Sequence, residues 1–209
     1  MTSRPTVGAR SGRKPSVDLG QLLAAAADLA DDNGLDAVTF RALSERLGVS
    51  PMAVHRASGG IDALRHALIA SLVEEAVARI SWPEAWRDVV TIFACSLRDL
   101  LLRHPLVLEA HRQAALDAPA ADDVAHRVVD ALAVAGLSPE EAAYGYAAVH
   151  DFVTGHVAIR LGRGEIELMR ISTSRRDVSV FVEHSDYDRR FEAGLQLLLA
   201  GIEKHTFKA

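Results

Sequence analysis

The sequence predicts an all-α protein in which a three-helix head precedes a larger helical body. Alanine and leucine dominate the 209 residues and aromatic residues make up only 5%, a composition that favours helices over sheets. Apolar residues recur at helical spacing, and Ser, Thr, Gly and Pro stand where helices should begin and end. We expect a flexible basic arm over 1–16, a head over 17–62 and the body over 63–209.

Three helices are predicted in the head, over about 17–33, 39–47 and 51–58. Glycines that can end these helices follow each of them, at Gly34, Gly48 and Gly59. Thr39 is a good N-cap for the second helix. Ser50 caps the third helix, and Pro51 occupies its first position, where the missing N–H costs nothing.

Longer helices are predicted in the body, over about 61–80, 82–104, 105–116, 119–135, 139–161 and 187–205. Two capping boxes open two of them, at Ser81–Glu84 and Ser138–Glu141. Pro105 breaks the helix before it, and Asp186 caps the last helix. Residues 163–185 remain ambiguous, because their "VSVFV" run could form a strand but has no partner strand.

The net charge of −5 is distributed unevenly along the chain. Residues 1–14 hold four basic and no acidic residues, residues 1–66 carry +1, and the remainder therefore carries −6. A basic arm ahead of an acidic body suits a protein whose first segment meets an anion. A solvated, disordered tail would have the same composition.

Cysteine content and hydropathy indicate the compartment. The single Cys95 lies in an apolar helical pattern, so we expect a small core residue and no internal disulfide. The sequence has no uncharged apolar run long enough for a membrane span, and no apolar signal core follows the N-terminal charges. A reducing cytoplasm is the expected location.

Residues 39–58 have the pattern of a helix-turn-helix, in which the second helix presents its N-terminal residues to base edges. The residues expected to face outward are Ser50, Pro51, Met52, Ala53, His55 and Arg56. Ser50 suits a phosphate or base contact, Met52 and Ala53 a thymine methyl group, and Arg56 a phosphate or guanine. Short helix pairs also occur in proteins that do not bind DNA, so the spacing alone leaves both interpretations open.

The run "GLDAVTFRALSERLGVSPMAVHRASGGIDALRHAL" resembles the DNA-binding head of the tetracycline-repressor (TetR) family of ligand-responsive regulators, over about residues 17–70. The stretches "SPEEAAYGYAAVHDFVTGHV" and "FEAGLQLLLAGIEKH" resemble the dimerisation helix and the closing helix of the tetracycline-repressor class. This resemblance implies a homodimer with two DNA-reading heads and a small-molecule pocket in each body.

The resemblance also implies roles for individual residues of the head. Thr39 matches the phosphate-contacting threonine of the family, and Arg41 matches an arginine that reads guanine. A bidentate contact of Arg41 with a major-groove edge is chemically reasonable. Arg13 and Lys14 belong to the basic arm, which can lie along the minor groove.

Four positions depart from the family pattern: His55, Ala57, Ser58 and Ile61. His55 replaces a phosphate-binding tyrosine, and Ile61 replaces the lysine that opens the fourth helix against a phosphate. We expect three features to offset these losses. His55 can still donate a hydrogen bond, Gly59 and Gly60 can expose backbone N–H groups, and the basic arm adds positive charge.

Aromatic and histidine residues on the body helices are the candidates for binding a small molecule. They are Trp86, Phe93, His104, His111, Phe152 and His156. Any one of them could instead be a core residue. His111 falls near a metal-coordinating histidine of the tetracycline-repressor class, but the sequence after it does not match, so we predict no metal and no other cofactor. Asp122 and Asp123 are expected on a solvated helix face.

The helices over 139–161 and 187–205 are the candidates for the homodimer interface, as a four-helix bundle. Their apolar stripes could equally be intramolecular core. No catalytic motif is present, so we predict no enzyme. Our interpretation is a cytoplasmic, homodimeric transcriptional regulator, most simply a repressor that a ligand releases from a palindromic operator. The alternative is a helical small-molecule binding or carrier protein whose head has lost its affinity for DNA.

Overall fold

Helices account for most of residues 17–112, 118–164 and 186–206, which are the residues that the computed structural model describes. The head comprises α1 (Leu19–Asn33), a 3-10 turn (Leu35–Ala37), α2 (Phe40–Leu47), α3 (Pro51–Ser58) and the beginning of α4 (Ile61–Ala78). The body comprises α5 (Trp86–Arg103), α6 (Pro105–Arg112), α7 (Pro119–Val134), α8 (Pro139–Gly164) and α9 (Tyr187–Thr206). The predicted all-α fold class is confirmed.

Three predicted features lie outside the described residues. They are the basic arm over 1–16, the end of the predicted helix over 113–116, and the ambiguous segment over 165–185 with its "VSVFV" run. Among the helices that the structure does describe, none combines the length and the apolarity needed to span a membrane.

The capping signals of the head formed as predicted. The Thr39 hydroxyl oxygen accepts a hydrogen bond from the Ala42 N–H at 3.2 Å, and the Ser50 hydroxyl oxygen accepts one from the Ala53 N–H at 3.2 Å. Between these two caps, Gly48 takes a left-handed conformation with φ of 65°, which a side chain at this position would strain. This turn sets the direction in which α3 leaves α2.

The two predicted capping boxes of the body had opposite outcomes. At the start of α8 the Ser138 N–H donates to the Glu141 carboxylate at 2.9 Å, and the Glu141 N–H donates to the Ser138 hydroxyl at 3.3 Å. The box predicted at Ser81–Glu84 was wrong, because α5 begins at Trp86 and has no side-chain cap. Trp82 instead packs against the body core, beneath the Arg127 guanidinium, whose carbon lies 5.2 Å from the ring centroid. This tertiary contact outweighs the local signal.

Two buried clusters form the core. The first joins α1–α3 to α4, α5 and α6, and it includes Leu22, Leu43, Val54, Leu68, Leu101 and Val107. The second joins α5, α7, α8 and α9, and it includes Phe93, Val128, Val153, Phe191 and Leu199. Because α4 starts in the head and continues along the body, the head shares its core with α5 and α6. Cys95 lies half-buried against the second cluster, where burial raises the pKa of its thiol.

The apolar stripes of α8 and α9 face into the same chain. The buried members are Ala142, Val149, Val153, Val157, Leu195 and Leu199. These residues are therefore intramolecular core, which was one of the two interpretations that the sequence left open. The outward faces of the same two helices carry other apolar side chains, including Tyr144 at 67% exposure and Leu197 at 76%.

Candidate functional site

The outward face of α2 and α3 carries the side chains that the sequence predicted for DNA contact. Its members are Thr39, Arg41, Ser50, Pro51, Met52, His55 and Arg56, all exposed, together with the half-buried Ala53. Met52 is 64% exposed, whereas its neighbour Val54 is fully buried in the first core cluster. The helix pair therefore presents hydroxyl, apolar and cationic groups on one surface, while its apolar residues anchor it to α1. Arg13 and Lys14 lie outside the described residues.

Arg41 is held by a neighbour on its own helix. Its Nε donates to the Glu45 carboxylate at 2.9 Å, and the two side chains are 87% and 66% exposed. The backbone carbonyl of Arg41 accepts a hydrogen bond from the Ser44 hydroxyl at 2.8 Å. An exposed pair of this kind is weak, so the guanidinium can exchange Glu45 for another acceptor at low cost.

The cationic side of α3 is also organised locally. The Arg56 Nε donates to the Met52 carbonyl at 3.2 Å, which directs the guanidinium back along the helix. The His55 ring stands edge-on to Phe40 of α2, with 5.4 Å between centroids. This contact links α2 and α3 at the residue that replaces the tyrosine of the family pattern.

The junction between α3 and α4 offers fewer free backbone N–H groups to a phosphate than the sequence predicted. The Gly59 N–H donates to the His55 carbonyl at 3.0 Å, and the Gly60 N–H donates to the Ser58 hydroxyl at 3.3 Å. The prediction that both N–H groups are free for a phosphate was therefore wrong, because the turn uses them itself. Ile61 packs against the first core cluster, and the first turn of α4 contains the acidic Asp62.

Two arginines connect neighbouring elements within the head. Arg46 of α2 pairs with Asp28 of α1 at 2.6 Å. Arg65 of α4 donates to the Val38 carbonyl at 3.4 Å, immediately before the cap residue Thr39. Residues 17–66 hold four arginines and seven acidic residues, a net charge of −3. The strong positive charge of the N-terminal part of the chain therefore belongs to the arm.

A cavity of about 180 Å³ lies in the body between α4, α5, α6, α7 and α8. Most of its lining is apolar, with Val73, Ala76, Val77, Ile80, Leu97, Leu100, Leu101, Val107, Ala121, Val124 and Ala125. The remaining lining residues are Phe93, Ser96, His111, Asp122, Tyr146, His150 and Thr154. Of the six residues predicted for ligand binding, the structure brings Phe93 and His111 to this cavity.

The other four predicted ligand residues lie elsewhere: Trp86, His104, Phe152 and His156. The imidazole Nδ1 of His104 contacts the Asp31 carboxylate of α1 at 2.9 Å. Phe152 and His156 pack against Phe191 of α9, with ring centroids 5.6 and 5.4 Å apart, and Trp86 packs against the second core cluster. Helical spacing placed these residues on body helices but did not indicate which face of each helix meets the cavity.

One wall of the cavity is a row of four rings: Phe93, Tyr146, His150 and His111. Successive ring centroids are 5.4, 5.9 and 4.7 Å apart. Tyr146 and His150 were not among the predicted ligand residues. A signal for them was present, because Tyr146, His150 and Thr154 follow one another at intervals of four on α8 and therefore share a face.

The pKa shifts of two residues in this row, His150 and Tyr146, favour their neutral forms. Burial lowers the pKa of His150, and the proximity of His111 lowers it further. Burial also raises the pKa of Tyr146, with smaller contributions from Asp122 and Asp151. Asp122, which we predicted on a solvated face, is exposed but also borders the cavity.

The donor set beside His111 does not suit a metal ion. Within residues 17–112, 118–164 and 186–206, no group of three or more His, Cys, Asp or Glu side chains is arranged to hold one. A histidine pair with one exposed carboxylate provides too few ligands of the type that divalent cations prefer.

A shallow groove runs along the outward faces of α8 and α9. Its lining consists of Leu137, Glu141, Tyr144, Gly145, Leu197, Leu198, Gly201 and Ile202. Apolar side chains and glycines dominate this surface, and a groove of this composition suits close contact with another helical surface.

Comparison with known proteins supports the two-part organisation. The profile described as bacterial regulatory proteins, tetR family, matches residues 22–68, and the profile described as tetracyclin repressor-like, C-terminal domain, matches residues 82–179. An HTH-type transcriptional regulator of Saccharopolyspora erythraea is 27% identical, over 92% of this chain and 87% of the relative. The tetracycline repressor protein class C of Escherichia coli is 28% identical, over 86% and 87% of the two chains. The crystal structure of TetR from Acinetobacter baumannii AYE superposes with a TM-score of 0.75 at 27% identity, over 91% of this chain and 98% of that one.

Proposed function

Because the chain belongs to the tetR family of bacterial regulatory proteins, we propose that it is a homodimeric transcriptional repressor that a small molecule releases from a palindromic operator. The observation that carries the proposal is the outward face of α2 and α3. There, hydroxyl, apolar and guanidinium groups that suit DNA lie on one surface, directly above the core that anchors them.

Each polar group of this face has a role that follows from its hydrogen bonds. Thr39 and Ser50 use an oxygen lone pair to cap α2 and α3, so each hydroxyl proton remains available to a phosphate oxygen. Arg41 exchanges Glu45 for the edge of a guanine, where the guanidinium can bind in a bidentate manner. Met52 and Ala53 provide apolar contact for a thymine methyl group.

We assign most of the contacts with the phosphate backbone to the basic arm over residues 1–16. Residues 17–66 carry a net charge of −3, and residues 1–14 carry +4. The junction at Gly59 and Gly60 has no free glycine N–H and no lysine. Arg13 and Lys14 are therefore proposed to lie along the minor groove and to supply charge that the head lacks.

Dimerisation is assigned to the groove on the outward faces of α8 and α9. Tyr144 and Leu197 are large and exposed, while the glycines between them let a second helix approach closely. Two copies related by a two-fold axis would cover the same surface on both chains and form a four-helix bundle. Such a dimer would hold two heads for successive major grooves of a palindrome.

Release by a ligand follows from the elements that border the cavity. α4 lines the cavity with Val73 and Val77 and begins in the head, so a shift of α4 moves the head. α6 lines the cavity with Val107 and His111, and His104, immediately before α6, contacts Asp31 of α1. A ligand that fits only one arrangement of α4 and α6 would favour one separation of the heads.

The test is selection of bound duplexes from a random-sequence pool, followed by a salt titration on the recovered site. We expect an enriched palindrome bound with nanomolar affinity that falls steeply with salt. Arg41→Ala should weaken binding by about 1–3 kcal/mol and relax one operator position. Arg79→Ala, at the far end of α4, is the matched control, because Arg79 is an exposed arginine paired with Glu75 at i,i+4.

Two outcomes would contradict parts of this proposal. Equal binding of the Arg41→Ala and wild-type proteins to every operator variant would remove the guanine contact. Weak binding with no enriched sequence would instead favour the alternative of a small-molecule binding protein whose head no longer recognises DNA.

A further inference from the structure

The size of the cavity limits what it can hold. Its volume of about 180 Å³ is slightly larger than the cavity of about 150 Å³ that holds one benzene molecule in an engineered protein. One six-membered ring with a small substituent fills such a space. A compound with several fused rings exceeds this volume.

The walls favour an aromatic ring. Phe93 and Tyr146 lie 5.4 Å apart and are inclined by 32° to each other, so their faces and edges line the same wall. Branched and small aliphatic side chains of α4, α5 and α7 supply the rest of the lining. A flat apolar ligand can contact both rings at favourable centroid distances.

The polar end of the cavity offers the imidazole rings of His111 and His150 as hydrogen-bonding groups. The His150 Nδ1 contacts the Asp151 carboxylate at 3.5 Å, so Nε2 is the His150 nitrogen left for a ligand. The His111 ring, 4.7 Å from the His150 ring between centroids, adds a second imidazole. The Thr154 hydroxyl donates to the His150 carbonyl at 3.0 Å, so its proton is already committed. A hydroxyl group on the ligand matches the imidazoles, because it both donates and accepts.

The charge of the cavity lining disfavours two common ligand classes, carboxylates and phosphates. Among the lining residues that the structure describes there is no lysine or arginine, and Asp122 is acidic and exposed. A carboxylate or phosphate would therefore be desolvated without a counter-ion and would face a like charge, which is unfavourable.

We infer that the cavity binds a neutral, hydroxylated, single-ring aromatic compound of the phenol or catechol class, with its hydroxyl group at the imidazoles of His111 and His150. The inference rests on the proposed function, since it names the class of the releasing ligand. It can nevertheless be tested without DNA.

Isothermal titration calorimetry of the full chain with phenol, toluene and benzoate tests the inference, because the three probes share a ring and differ in one substituent. Phenol should bind in the micromolar to millimolar range, as its small size dictates. Toluene should bind more weakly and benzoate should show no binding. Benzoate binding as tightly as phenol, or no binding of any single-ring probe, would overturn the assignment. Tighter binding of tetracycline, the four-ring compound for which the Escherichia coli relative is named, would also overturn it.

A pair of variants locates the hydroxyl group. His150→Leu should weaken phenol binding about two- to tenfold, the range expected for one lost hydrogen bond, and should leave toluene binding unchanged. His66→Leu is the matched control, because His66 is exposed on α4 within the head. Unchanged phenol binding by a folded His150→Leu protein would contradict the placement. If that variant does not fold, His150→Gln provides the second test, since it keeps a donor and an acceptor and should retain the preference for phenol over toluene.

Failure of this inference is distinguishable from failure of the proposed function. Phenol binding without any loss of operator affinity would support the ligand class but contradict release by this ligand. Operator release by a compound that displaces no phenol would support the repressor and overturn the site.

Discussion

Replacing Glu45 by glutamine should tighten operator binding, because Glu45 competes with DNA for Arg41. The Glu45 carboxylate lies 2.9 Å from the Arg41 Nε, and the side chains are 66% and 87% exposed. A guanine contact that uses the Arg41 Nε requires this pair to open. Exposed pairs at i,i+4 are worth about 0.3–0.5 kcal/mol each. Two heads per dimer give about 0.6–1 kcal/mol, which is a three- to fivefold gain in affinity.

Fluorescence anisotropy of a labelled operator duplex at constant salt measures this gain. Glu75→Gln is the matched control, since Glu75 forms the same kind of pair with Arg79 at the far end of α4 and should leave affinity unchanged. Removal of a negative charge near phosphates could itself raise affinity. The Arg41→Ala background separates the two effects, because only the release of Arg41 disappears there.

Two results would refute this reasoning. A Glu45→Gln protein that binds the operator no better than wild type would mean that the pair does not compete with DNA. An equal gain in the presence and absence of Arg41 would mean that Glu45 acts on DNA through its charge alone.

Three further predictions concern the arm, the dimer and the core. The double variant Arg13→Ala, Lys14→Ala should reduce the slope of log affinity against log salt by about 1.8 per subunit, since each lost phosphate contact lowers it by about 0.9. An unchanged slope would mean that the arm does not contact DNA. Leu197→Asp places a charge on a side chain that is 76% exposed, so we expect helical monomers in analytical ultracentrifugation, whereas intact dimers would locate the interface elsewhere. Gly194→Ala should lower stability in urea by about 1–3 kcal/mol, because a Cβ would lie 2.5 Å from a Phe152 ring carbon; an unchanged midpoint would show that the ring can move aside.

The head was predictable in detail because its signals are local. Thr39 and Ser50 each bond a backbone N–H three residues away, and Gly48 accepts a left-handed conformation regardless of distant contacts. For Gly59 and Gly60, after α3, the sequence predicted the positions but not the hydrogen bonds. Their positions were predicted correctly, but the destination of their N–H groups depended on the Ser58 hydroxyl and the His55 carbonyl, which only the folded turn brings within reach.

The two capping boxes show the limit of local signals. Ser138 and Glu141 form the predicted box, whereas Ser81 and Glu84, with the same spacing, do not open a helix. The difference lies in Trp82, which packs against the body core. A few tenths of a kcal/mol of helix propensity per residue, or about 1 kcal/mol for a cap, is easily exceeded by burial of an indole ring.

The sequence by itself determined the helical fold, the outward set on α2 and α3, and the resemblance to the tetracycline-repressor family. The tertiary structure decided which helix faces meet. It turned the stripe containing Val149 and Val153 inward, brought Phe93, His111 and His150 to one cavity, and placed Phe152 and His156 against α9 instead. The physical reason is that side-chain spacing sets the faces of a helix, whereas the partner of each face depends on how several helices cross and pack at close density.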